Sequence, residues 1–85
     1  MMNVIEQKRA DIDRIDTELV YLLNKRFQAC VAIGEAKKQG ATAVLDPNRE
    51  QNILNRLKDY EEFEGMVDTL WPQIMAYSRG LQSKL

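Results

Sequence analysis

An all-α chain of three very unequal helices is what this sequence predicts, and three observations predict it. No proline interrupts residues 4–39, and apolar side chains recur there at helical spacing: Ile5, Ile12, Ile15, Leu19, Leu22, Leu23, Ala29, Cys30 and Ile33. A second run opens behind "LDPNRE", a usual helix start, and a third carries Val67, Leu70, Trp71, Ile74, Met75 and Leu81 on one side. No stretch shows the polar–apolar alternation of a half-buried strand.

The first helix is expected over residues 4–39, with Gly34 as its one tolerable glycine. At about 1.5 Å per residue it would run roughly 54 Å, whereas a compact chain of this length has a radius of gyration of about 12 Å. Such a rod must find cover beyond its own subunit, and a symmetric homodimer with two long helices side by side is the economical solution. "QGATAV" breaks the pattern at Gly40. Asp46 then suits an N-cap and Pro47 the first helical position, so helix 2 is expected over about 47–59, with Ile53, Leu54 and Leu57 inward. "YEEFEG" reads as a turn. Helix 3 is expected over about 66–83, where Pro72 requires either a kink or a late start.

Composition narrows the function. A chain of 85 residues is a single domain with little core in which to hold unpaired charge. Its net charge of −1 leaves no basic surplus for nucleic acid. No apolar run is long enough to span a bilayer, and "MMNVIEQKRAD" lacks the charged-then-apolar form of a secretory signal, so a cytoplasmic protein away from membranes is expected. Cys30 is the single cysteine and there is no histidine, which removes an internal disulfide, Ser-His and Cys-His catalysis, and most zinc sites. Neither metal nor cofactor is expected, and the chemistry falls to Arg, Lys, Asp, Glu, Gln and Ser.

The charged residues are in the wrong places for a plain bundle. With Ile12 at zero on a helical wheel, Leu19 falls at about 340° and Cys30 at about 0°, while Arg26 falls at about 320° and Lys37 at about 340°. Arg9 lies near the stripe's edge, at about 60°. On helix 2, Glu50 sits at about 60° from Ile53, between Leu57 and Leu54, so the acid there needs a partner. On helix 3, Ser78 and Gln82 fall at about 20° and 60° from Val67, alongside Trp71.

Taken singly, each has a bland reading. Arg26 alone is a snorkelling side chain, Asp46 a helix cap, Ser78 or Gln82 a satisfied core polar group, and Cys30 and Met75 packing. Together they change the balance, because each unpaired buried charge costs several kcal/mol while a small domain's whole stability is about 5–10 kcal/mol. Inward Arg26, Lys37, Glu50, Ser78 and Gln82 make a poor core but a good polar pocket between helices. Arg9, Arg26, Lys37 and Arg49 against Asp46 and Glu50 leave two positive charges in surplus, which a small dianion would balance. Arginine forks suit carboxylates, and ionised Glu50 can accept a ligand hydroxyl.

"RADIDRIDTELVYLLNKR" (9–26), "IGEAK" (33–37), "DPNRE" (46–50) and "YSRGLQ" (77–82) together resemble the all-helical AroQ class of chorismate mutases, over nearly the whole chain. The resemblance implies an intertwined homodimer of three-helix subunits, acting in aromatic amino acid biosynthesis by converting chorismate to prephenate. It implies that Arg9 crosses into the partner's site, where with Arg26 it holds the two substrate carboxylates. Lys37 and Gln82 would donate hydrogen bonds to the ether oxygen, Glu50 with the Asp46 region would hold the ring hydroxyl, and Arg49 and Ser78 would line or order the pocket. It also leaves room for a fused or associated enzyme of the aromatic pathway. The chain departs from the family pattern in a short 59–65 connection, in Pro72, and in Phe27, where some relatives carry a second basic residue.

That reaction is pericyclic and moves no proton, which accords with a chain lacking histidine. The protein's tasks are to hold the reactive conformer and to stabilise charge growing on the ether oxygen. Two other expectations stand beside it: the related isochorismate-pyruvate lyase, which shares fold and basic pocket, and a non-catalytic dimeric helical adaptor whose inward charges form salt bridges between subunits.

Overall fold

The computed structural model describes residues 3–40 and 45–85. Helix α1 spans Val4–Gln39, α2 spans Pro47–Leu57 and α3 spans Met66–Ser83, with no strand among the described residues. The whole "ATAV" stretch of the break expected after Gln39, residues 41–44, lies outside them.

Local chemistry sets the ends. The Asn3 side chain caps α1 by accepting from the Glu6 N–H at 2.8 Å. Asp46 caps α2, its Oδ1 accepting from the Arg49 N–H at 3.0 Å, and Pro47 follows where its missing N–H is harmless. α2 stops two residues short of the expected end, because Lys58–Tyr60 tighten into a 3₁₀ turn. Gly65 then adopts φ 84°, a left-handed conformation that a side chain would strain. The Glu61 carboxylate reaches forward over this turn to accept from the Val67 N–H at 3.0 Å and the Gly65 N–H at 3.5 Å. It thereby serves orphan donors at the start of α3.

The late start of helix 3 does not occur. α3 begins at Met66 and runs through Pro72, so the Asp68 carbonyl forgoes its usual i+4 donor. Pro72 is exposed. The Asp68 carboxylate instead ties α3 to the 3₁₀ turn through Lys58 Nζ at 3.2 Å.

α3 packs along the C-terminal half of α1, and α2 packs on α3. Ile53, Val67 and Met75 form a small buried core, with Ser78 and Gly34 also buried. Gly34 permits the close approach of α1 and α3: a Cβ there would stand 2.8 Å from Gln82 Cγ and 2.9 Å from Leu85 Cδ1. Phe27 and Tyr77 close the far side of this contact, with ring centroids 4.9 Å apart. The first half of α1 projects alone, giving overall dimensions of 59 × 25 × 15 Å and a radius of gyration of 16.5 Å. A compact chain of this length would have about 12 Å. No described helix is long and apolar enough to cross a membrane.

Candidate active site

A cavity of about 230 Å³, open on one side, lies where the three helices meet. Its lining follows from the wheel positions. α1 contributes Arg26, Ala29, Cys30, Ile33 and Lys37 at successive turns; the start of α2 contributes Asp46, Arg49, Glu50 and Ile53; α3 contributes Met75, Ser78, Arg79 and Gln82. Of the eight sequence-predicted residues, seven meet here. Arg9 does not: it is exposed on α1, 17 residues or about 26 Å of helix before Arg26, beyond reach of its own chain's cavity.

Side chains across the α1–α3 contact hold one another in place. Arg26 Nη1 donates to Ser78 Oγ at 2.9 Å and lies 3.5 Å from Cys30 Sγ, while Ser78 Oγ donates to the Ile74 carbonyl at 3.0 Å. The serine hydroxyl is thus fully directed. It steers the guanidinium while leaving most of that group's five donors for something else. Gln82 Nε2 donates to the Cys30 carbonyl at 2.7 Å, so the amide is held against α1 at the level of Gly34. Cys30 and Met75, which read as packing, both line the cavity.

The partner that Glu50 needed is Arg79, whose Nη1 donates to Oε1 at 2.6 Å and to Oε2 at 2.5 Å. Sequence reasoning missed Arg79. The signal available was weak: on the α3 wheel it falls at about 120° from Val67, at the stripe's edge, where a cation reads as solvated. Its position directly after Ser78 and three before Gln82 was the better clue. With it the cavity holds Arg26, Lys37, Arg49 and Arg79 against Asp46 and Glu50, a surplus of two positive charges within one subunit. Lys37 is itself engaged in an interaction. Such a lining can bind a small anion, orient it through several fixed donors, and stabilise negative charge developing on it. Among the described residues no group of three or more metal-ligating side chains forms.

Residues 8–83 match the family model of chorismate mutase type II, and the chain belongs to that family. It is 49% identical over 51 residues to a bifunctional chorismate mutase/prephenate dehydratase of Neisseria gonorrhoeae, covering 60% of this chain and 14% of that one. To the protein of the same description from Aquifex aeolicus it is 36% identical over 56 residues, or 66% and 16% of the two chains. A 3-dehydroquinate dehydratase of Pyrobaculum aerophilum is 34% identical over 59 residues, or 69% and 20%. The chain therefore spans a fifth or less of the length of these curated relatives. In three dimensions it is similar to a conserved hypothetical protein from Pyrococcus furiosus, with a TM-score of 0.79, 28% identity, and coverage of 96% and 99% of the two chains.

Proposed function

We propose that this chain is a chorismate mutase, rearranging chorismate to prephenate in aromatic amino acid biosynthesis, in the cytoplasm and as a homodimer. The observation that carries the reading is the cavity with two surplus positive charges, found on the fold of this family. A dianion neutralises these two, and Arg9 of the partner subunit adds a third positive charge, so the completed site stays cationic with the ligand bound. Arg26, steered by Ser78, takes one substrate carboxylate, and Arg9 of the partner subunit takes the other. Lys37 and Gln82 donate to the ether oxygen, Glu50 with the Asp46 turn accepts from the ring hydroxyl, and Arg49 adds to the positive lining.

The chemistry needs no more than this. As the C–O bond breaks and the C–C bond forms, negative charge grows on the ether oxygen, and donors already in place stabilise it without reorganising. Holding the compact conformer supplies the remaining part of the barrier reduction. No group has to gain or lose a proton.

The dimer rests on the uncovered half of α1. Ile5, Ile12, Ile15 and Leu19 are all about half exposed or more, a continuous apolar stripe with nothing of its own chain upon it. A second α1 laid along it would bury the stripe and carry Arg9 toward the other subunit's open cavity. The bifunctional descriptions of two relatives support a further enzyme of the pathway as a fused or associated partner.

Following chorismate absorbance with purified protein, and identifying the product, tests the reading. Prephenate is expected. Pyruvate released from isochorismate, with no prephenate from chorismate, would replace it with the lyase activity. No turnover of either would leave a non-catalytic helical adaptor.

A further inference from the structure

Two carboxylates face the cavity, and they are held in different ways. Asp46 is fixed by backbone, its Oδ1 taking the Arg49 N–H at 3.0 Å. Glu50, on the first turn of α2, is held by a side chain from another helix. Arg79 Nη1 lies across both of its oxygens, at 2.6 and 2.5 Å, and the two side chains retain 33% and 25% of their exposure.

This arrangement has two physical consequences. A glutamate has several freely turning bonds, and tying its end removes conformers that would otherwise have to be frozen when a ligand arrives. A carboxylate also has about four lone-pair positions; one nitrogen seated across the two oxygens leaves positions open toward the cavity. The second consequence is electrostatic. An unpaired Glu50 would repel an incoming dianion at close range, and the guanidinium offsets that repulsion without occupying the whole acceptor.

We propose that Arg79 is a positioning residue: it aims the Glu50 carboxylate at the hydroxyl of a hydroxylated dianion and sets the site's preference for that hydroxyl. The inference deepens the mutase reading and rests on it. Arg79 acts through Glu50 and is not itself a carboxylate ligand of the substrate.

The experiment compares the full chain, Arg79→Met and Arg79→Lys on two substrates: chorismate, and the same dianion lacking the ring hydroxyl. Arg79→Met is expected to lower kcat/KM for chorismate by about ten- to a hundredfold, the scale of a hydrogen bond to a charged group. The loss should fall mainly on KM, since the hydroxyl contact is made equally in ground and transition states. For the substrate without the hydroxyl the loss should be clearly smaller, since only the offset of Glu50's repulsion is removed and no hydroxyl contact is lost. Arg79→Lys should recover part of the loss, because a single nitrogen makes the contact. Adding Glu50→Gln to Arg79→Met should add little, as expected for a coupled pair. Equal losses on both substrates would overturn the proposal in favour of a direct anion ligand. A lowered melting temperature with an unchanged ratio between the substrates would overturn it in favour of a plain clamp between α2 and α3. Wild-type turnover in Arg79→Met would overturn this inference alone, whereas an inactive wild type would sink the mutase reading and this inference with it.

Discussion

The two halves of α1 carry the same apolar periodicity and meet different fates. From Leu23 to Gln39, the residues at least partly buried are Leu23, Arg26, Phe27, Cys30, Val31, Gly34 and Lys37, an i, i+3, i+4, i+7 stripe that α3 covers. From Asn3 to Leu22, every residue except Asp11 is exposed; Ile12, Ile15 and Leu19 retain 53%, 49% and 50% of their surface. The helix is one piece, so backbone propensity cannot explain the difference. Covered, the stripe lines a cavity; uncovered, it is the face on which the proposed dimer rests. The cationic residues divide in the same way, with Arg26 and Lys37 in the cavity and Arg9 about 26 Å away from Arg26 along the rod.

The largest effect should come from spoiling the uncovered half. Ile15→Asp with Leu19→Asp places four carboxylates along the proposed two-fold interface, where each costs several kcal/mol. Size-exclusion chromatography with light scattering should show a monomer, and turnover should fall to background. A dimer that survives the change would show that the stripe is not the interface.

Next in size, and confined to the covered half, is Lys37→Ala. Removing one donor to a developing oxyanion costs about 3–4 kcal/mol of barrier, a loss of a few hundredfold or more, with the dimer intact. Mixing this variant with Arg9→Ala sharpens the contrast. If each site takes Arg9 from one chain and Lys37 from the other, refolded mixtures regain about a quarter of wild-type turnover, since half the dimers are hybrids with one sound site. If both residues served the same chain, no activity would return.

These two variants also mark what the sequence could reveal. α1 and α3 were legible because long periodic runs leave few alternatives, and Asp46–Pro47 announced α2 through the chemistry of the cap itself. Arg26, Lys37, Glu50, Ser78 and Gln82 were legible because polar groups on an apolar stripe conflict with burial. Arg79 and Gly34 were not. Arg79 sits at a stripe's edge and gains meaning only from Glu50 on another helix, and Gly34 looks like any helical glycine until α3 is laid against it. Pro72 left two outcomes open, and the structure removes the late start, because an exposed position in a well-anchored helix tolerates one lost hydrogen bond.

Gly34 gives an intermediate effect inside the covered half. An added Cβ meets Gln82 Cγ at 2.8 Å, Leu85 Cδ1 at 2.9 Å and Gln82 Cβ at 3.1 Å, so Gly34→Ala must move α3 or the glutamine. A cost of about 1–3 kcal/mol in urea unfolding is expected, with turnover lowered about ten- to a hundredfold as Gln82 shifts from its place. Gly80 supplies the control, having nothing within 4 Å of an added Cβ. There, alanine should raise stability by up to about 1 kcal/mol through helix propensity.

The smallest effect belongs to the end of α3 farthest from the cavity. Glu61 accepts from the Val67 N–H at 3.0 Å across the Gly65 turn, doing for α3 what Asn3 and Asp46 do for the other two helices, from a position no capping pattern specifies. Glu61→Ala should cost about 1 kcal/mol of stability, the usual scale of a lost cap, read as a lower urea midpoint at unchanged slope. Turnover should stay at the wild-type level, because Ser78 and Gln82 lie three to four helical turns further on and are fixed by bonds to α1. A parallel loss of turnover would mean that the cavity depends on the whole of α3, and that the boundary between scaffold and site falls outside the α1 contact.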